Sequence, residues 1–547
     1  MSRLLFPLLA LFALAVFASA DEKSDWDILG RKSAPPVQRK QAAKSLVDAA
    51  RKAGTCEKVA NGMIAIALDS ETYPEIKVAI SEAIVACDCD GVRKLIAKKI
   101  GKGRAEDRTW YLQTASGFAA PEIDKMVLEK GLTDDKLENR ADAAAILVQH
   151  KVPGTREAFE AILRAGKDTQ LFGGIITHIS TLTQGGADWS EWETRLVGYA
   201  TDKNDDVRRA ALAALAQDKN PAHIELFKAQ AASADWSTRA LVLEYLENIR
   251  TKDGLGAIVA QLANEPRGTR MNAECVSALM RLSGMNFADR AEDWAGWWQK
   301  NEAAFELSKP TVGPRTPRPK GYESGTKVVQ FYGIEVESKR VCFIIDISGS
   351  MREKMKGGED DGLERIDVAK RELGKIIDAL QPGTLFNIVT FNSDVEAWLD
   401  QVGDVPVGLG GKKAELDKRS NPSTGGTNAP EKDEKQRQKD AEAQKKLDDL
   451  LRAKAHKYVD KLEAEGGTNI HDALERAFKD EHLDTIFLLT DGEPSFGREV
   501  DPVRIREAVQ RWNVTRKIKL STISIGKDFD LLKWLAEDSG GENRYFP

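Results

Sequence analysis

The chain has 547 residues, with 80 basic and 86 acidic side chains and a formal net charge of −6. That length provides for at least two domains, and a mildly acidic balance without a basic stripe argues against nucleic acid as a partner. Five cysteines, Cys56, Cys87, Cys89, Cys275 and Cys342, are too few for a disulfide-built fold, and their odd number leaves one thiol over unless chains pair.

Residues 1–20 read as a secretory leader. Arg3 gives a positive start, 4–17 an apolar core, and Ala18-Ser19-Ala20 a small-residue cleavage site before Asp21. The apolar core is short for a bilayer-spanning helix of about 20 residues. No cysteine follows the cleavage site to carry a lipoprotein anchor, and no later segment is apolar enough to span. The expectation is an exported chain, secreted or periplasmic, with no stable membrane insertion after cleavage.

From 21 to 300 the pattern is helical, rich in Ala, Leu and Ile, and it repeats. A basic residue followed by small and apolar positions recurs at Lys77, Arg108, Arg140, Arg208, Arg239 and Arg270, at intervals of a little over thirty residues or twice that. Such a period fits two helices and two turns per unit and marks a helical solenoid. Asp205-Asp206-Val207-Arg208-Arg209-Ala210-Ala211-Leu212 resembles the first helix of a HEAT repeat. The resemblance implies that an Asp caps the helix and an Arg bonds a neighbouring loop. Armadillo- or TPR-like stacking stays open. Within this region Cys56 is left to pair with Cys87 or Cys89. Cys87-Asp88-Cys89 lacks the second Cys or His pair that would complete a zinc set.

Trp294, Trp297 and Trp298 share one face of the last helix and read as a cap over the solenoid's open core, rather than as a carbohydrate platform. Residues 301–325 follow as a linker with Pro310, Pro314, Pro317 and Pro319 among basic residues. A strand or hairpin is then expected over 326–336, and the pattern thereafter is that of a doubly wound α/β domain running to 547. A charged stretch at about 403–450 interrupts it, read as a loop or solvated helix. The acidic run 357–362 reads as a solvated loop without EF-hand spacing.

Residues 342–345 are apolar and too few for a helix, which predicts a strand buried on both faces with Cys342 as a small buried hydrophobe. At its end Asp346, Ser348 and Ser350 alternate, three hard oxygen donors on one loop. A second apolar strand, 485–490, ends on Asp491. Between them Glu465-Gly466-Gly467-Thr468-Asn469 opens a helix. Open parallel sheets gather such loops at the carboxyl ends of their strands.

Asp346, Ser348, Ser350, Thr468 and Asp491 together resemble the metal-ion-dependent adhesion site of a von Willebrand factor type A domain, in the family's order and on the expected elements. The resemblance covers 326–547 and implies that these five residues hold a divalent cation directly or through water, leaving one position for a partner's carboxylate. Mg²⁺ suits a site with few carboxylates; Mn²⁺ and Ca²⁺ are the alternatives. A second Gly-Gly-Thr-Asn, at 425–428, is rejected because Ala429-Pro430 and a charge run follow it, so Thr468 and not Thr427 is the candidate.

The Asp491 strand mimics a nucleotide-binding strand, but no Gly-rich phosphate loop ending in Lys-Ser or Lys-Thr occurs. Neither a Gly-x-Ser-x-Gly elbow nor His-Glu-x-x-His is present among the residues, and His471 reads as a helix-start residue. The expectation is therefore no enzyme. It is an exported interaction and adhesion protein that captures an acidic residue of a protein ligand through a cation, with a repeat scaffold for further protein contacts. The alternative is an accessory subunit of an ATPase in metal insertion or complex remodelling.

Overall fold

The computed structural model describes residues 20–167, 169–307, 329–401 and 434–547. The first 19 residues of the leader, most of the Pro-rich linker and the Thr427 loop lie outside the described residues. The chain divides into two compact units, residues 1–192 and 193–547.

The first unit is helical throughout its described part, from Ala20–Gly30 to Thr169–Thr183. Its core is aliphatic: Leu46, Ile64, Ile80, Ile96, Leu112 and Leu147 are buried. Cys56, the first residue of the helix Cys56–Ala67, is bonded to Cys87, which follows the helix Pro74–Ala86, with 5.6 Å between Cα atoms. Cys89 is left as a thiol and stands at the N-cap of the next helix, Asp90–Lys99. Of the repeating basic residues in this unit, Arg108 and Arg140 bond carbonyls just before their own helices. Arg108 Nη1 donates to Gly103 O at 2.9 Å, and Arg140 Nη1 to Asp134 O at 2.7 Å.

The second unit opens with more helices of the same kind. Arg208 Nη1 donates to Asp202 O at 3.0 Å and Arg239 Nη1 to Ser233 O at 2.7 Å. The Asp cap that the resemblance implies is not the one on this helix. Asn204 caps the helix Asp205–Asp218, accepting from Asp206 N and Val207 N, while Asp205 pairs with Arg208. A short amide one residue earlier reaches the free N–H groups better than the first helical residue itself. Trp294 and Trp298 are buried at the end of the series, with Trp297 against Phe305 at 5.1 Å between ring centroids.

The strands follow. β1 (Val329–Phe331) and β2 (Ile334–Val336) form an antiparallel hairpin. Its turn residues Tyr332 and Gly333 both have positive φ, 48° and 75°, the geometry that two-residue hairpins favour. A six-stranded sheet is built from β3 (Arg340–Asp346), β4 (Leu385–Phe391), β5 (Val395–Ala397), β6 (Thr485–Thr490), β7 (Lys519–Ile525) and β8 (Asn543–Phe546), in the order β5-β4-β3-β6-β7-β8. Only β5 is antiparallel to its neighbour. All seven residues of β3 are buried, as a central strand covered on both faces requires. From β3 the chain steps outward to β4 and β5, then returns to β6 on the other side. The strand order thus reverses between β3 and β6, where open α/β sheets have their ligand crevice.

The helix Glu434–Val459 runs through the charged stretch and past position 450. Its second half places Leu451, Ala455 and Val459, four residues apart, in the core beside the helix Arg365–Ala379. Among the described residues no helix is long and apolar enough to cross a membrane.

The helical part of this unit is fastened to the amino-terminal edge of the sheet. Arg270, the last of the repeating basic residues, bonds the carbonyls of Asp484 and Lys517, the latter at 2.7 Å from Nη2. Asp484 immediately precedes β6, and Lys517 lies two residues before β7. Ser237 Oγ donates to Arg516 O at 3.1 Å, and Lys517 pairs with Glu244 at 2.7 Å.

Candidate functional site

At the opposite, carboxyl edge, the ends of β3 and β6 stand side by side, Ile345 against Leu489 in register. Asp346 closes β3 with its side chain fully buried. Its Oδ1 accepts from Ser348 N at 2.7 Å, which turns the loop back over the strand end, and its Oδ2 accepts from Thr490 Oγ1. A 3₁₀ turn, Gly349–Arg352, then lifts Ser350 so that its Oγ lies 3.1 Å from Ser348 Oγ and 2.6 Å from Asp491 Oδ1.

The loop carrying Thr468 is zipped to this one by backbone bonds. Glu465 N donates to Ile347 O at 2.8 Å and Gly349 N to Gly466 O at 3.0 Å. Gly466 has φ +73°, and a Cβ there would meet Ser393 Oγ at 2.9 Å, so only glycine fits. The loop after β4 holds the far side, through Gly467 N to Ser393 Oγ at 2.9 Å and Asn469 N to Asn392 O at 3.0 Å. Asn469 then caps the helix Ile470–Phe478. Thr468 N donates to Ser495 Oγ at 3.0 Å.

The bare flank of Gly492 is where the hydroxyls meet. A Cβ on that residue would stand 3.1 Å from Thr468 Oγ1 and 3.8 Å from Ser350 Oγ. Asp346, Ser348, Ser350, Thr468 and Asp491 are therefore gathered at one edge of the sheet, around a space that a side chain at 492 would invade. Ser348, Thr468 and Asp491 are buried, and Ser350 is half-buried.

Burial pushes the Asp346 carboxyl up to about 7, and the charge of Asp491 adds to the rise against the hydrogen bonds from Thr490 and Ser348. Two acids and three hydroxyls make a hard, all-oxygen donor set with excess negative charge, which fits a small divalent cation. Among the described residues there is no cluster of three or more His, Cys, Asp or Glu side chains that could hold a metal; here hydroxyls make up most of the set.

Two participants are invisible in the sequence pattern. Thr490 holds the Asp346 carboxylate, and Arg365, at the start of the helix Arg365–Ala379, places Nη1 2.8 Å from Asp491 Oδ2. Thr490 directly precedes Asp491, a position that draws attention once the strand end is known. Nothing local marks Arg365. His471 is buried against Asp472, with Nδ1 and Oδ1 2.7 Å apart, outside the set.

Comparison with known proteins follows the same division. The family profile of the von Willebrand factor type A domain matches residues 435–545, and that of HEAT repeats matches 193–279. Inter-alpha-trypsin inhibitor heavy chain H2 of Mus musculus is 25% identical over 218 residues, and heavy chain H4 of Bos taurus 27% over 217, each alignment taking in 37% of this chain. The chain spans only 17% and 18% of those relatives' own lengths. Among solved structures, a von Willebrand factor type A protein from Catenulispora acidiphila aligns over 39% of this chain and 40% of its own, at 21% identity and a TM-score of 0.26. The chain carries HEAT repeats followed by a von Willebrand factor type A domain.

Proposed function

We propose that this protein is an exported binding protein whose type A domain captures an acidic side chain of a protein ligand through a divalent cation, Mg²⁺ foremost. Asp346, Ser348, Ser350, Thr468 and Asp491 would hold the ion. When bound, the cation would supply an electrophilic position for an outside carboxylate. The observation that carries this reading is the gathering of two acids and three hydroxyls at the switch point of the sheet, with Asp346 wholly buried. A carboxylate in that position is costly unless a positive charge meets it. The HEAT repeats offer extended surface for further protein contacts.

The Cys56–Cys87 disulfide supports export, because such bonds persist in oxidising compartments. The apolar leader with its cleavage site before Asp21 supports it independently. The test is capture of partners from source extracts by the full chain, with and without chelator, beside Asp346→Ala. Partners lost equally on chelation and in the variant support the reading; partners retained in both contradict it.

A further inference from the structure

Arg365 occupies a place in the site that the five oxygen donors leave unexplained. It is 8% exposed, and its Nη1 lies 2.8 Å from Asp491 Oδ2 and 3.0 Å from Glu353 Oε2. Three elements fix it there. Arg365 N donates to Glu353 O at 3.0 Å, tying the helix start to the loop after β3. From the other side Gly526, just after β7, presents bare backbone with φ +70°, and a Cβ there would fall 2.2 Å from Nη2 and 2.5 Å from Cζ. The guanidinium thus packs directly against Gly526, with its Nε buried and without a hydrogen-bond partner.

The consequence falls on Asp491. Its Oδ1 takes the hydroxyl of Ser350 at 2.6 Å and its Oδ2 takes Arg365. One oxygen faces the other donors; the second is committed to a fixed positive charge. Ca²⁺ takes six to eight oxygens and readily accepts a carboxylate through both, whereas Mg²⁺ keeps an octahedral shell with single-oxygen ligands. A charge held on Oδ2 also repels any cation brought to Oδ1.

We propose that Arg365 is the specificity-determining residue of the site, restricting Asp491 to one oxygen so that a small octahedral cation is favoured over Ca²⁺, at some loss of affinity for both. This rests on the cation-binding reading above. It acts through Asp491 and is a positioning residue rather than a ligand.

The test is calorimetric titration of the full chain with Mg²⁺ and, separately, Ca²⁺, for wild type, Asp346→Ala, Arg365→Met, Arg365→Lys and Glu353→Gln. Arg365→Met should tighten both ions and tighten Ca²⁺ more, lowering the wild-type preference for Mg²⁺ by about fivefold or more. Arg365→Lys, which restores a charge on Oδ2, should return the preference to within about twofold of wild type. Glu353 is exposed, so Glu353→Gln leaves the fold intact. It frees the guanidinium for Asp491 alone and should raise the preference. If Arg365→Met does not fold, Glu353→Gln decides. An unchanged preference in Arg365→Met, or an equal weakening of both ions, overturns the inference while wild-type binding lost in Asp346→Ala leaves the cation reading standing. Absence of binding by wild type and every variant overturns both.

Discussion

At the amino-terminal edge of the sheet, positive side chains end on the chain's own carbonyls: buried Arg270 on Asp484 and Lys517, half-buried Arg516 on Phe478 and Asp480. At the carboxyl edge, buried negative side chains end on hydroxyls, one backbone N–H and a single guanidinium. The first edge is a closed joint, because each guanidinium ends on backbone carbonyls, those of Asp484 and Lys517 just ahead of β6 and β7, those of Phe478 and Asp480 at the end of the helix Ile470–Phe478. The second keeps two carboxyls for one guanidinium, and burial pushes the Asp346 carboxyl up to about 7. On the proposed reading the sheet is anchored at one end and receives a cation at the other, and the sign of the charge separates the two edges.

The sharpest way to break that contrast is to open the joint. Arg270→Ala removes a buried cation from two carbonyls and from Glu274, and should cost about 3 kcal/mol of stability, read by chemical denaturation. Cation affinity, set at the far edge, should stay as it was. Asp491→Ala should cost about 2 kcal/mol, because it strips the buried Arg365 of its principal partner, and should also lower Mg²⁺ affinity by about tenfold or more, read by calorimetry.

The pH dependence follows from Asp346. Its carboxyl sits above the ordinary range in the fold, so the folded chain holds a proton that the unfolded chain has released. Without added cation, stability should therefore fall as pH rises from about 4 to about 7. A cation needs the ionised carboxylate, so Mg²⁺ affinity should run the other way, falling on acidification below about 7. Thermal melts with and without Mg²⁺ at pH 5, 6, 7 and 8 check both signs. The smallest effect is expected at the third loop: Thr468→Ala removes one neutral oxygen and should weaken Mg²⁺ binding by about fivefold. Thr427→Ala should change nothing, and the reverse ranking would put the third ligand loop elsewhere.

Much of this domain was legible because its strands are short apolar runs bounded by acids and glycines. β6 falls on the expected residues, and Asp346, Ser348, Ser350 and Asp491 sit at or just beyond a strand end, where topology brings them to one edge, while Thr468 joins them from the loop before the helix Ile470–Phe478. Val395–Ala397 ends where Trp398 starts a helical turn and buries its ring on Phe386, centroids 5.1 Å apart. What stayed hidden is contact across long sequence distances. Arg270 reads as one more repeat arginine, yet its partners are carbonyls 214 and 247 residues away. Arg365 reads as an ordinary helix residue until Asp491 is placed beside it. The Cys56 partner was undecided because Cys87 and Cys89 are two residues apart, and only the start of the helix at Asp90 separates their roles.

The measurement that bears most directly on the account is Mg²⁺ titration of the full chain beside Asp346→Asn, followed by calorimetry and by melting temperature at pH 8. Wild type should bind one Mg²⁺ and melt higher when loaded. Asp346→Asn, relieved of a buried charge, should melt higher than wild type without the ion and gain nothing from it. A wild-type chain indifferent to Mg²⁺, or an Asp346→Asn chain that binds it as well as wild type, would contradict the assignment of the carboxyl edge as a cation receptor.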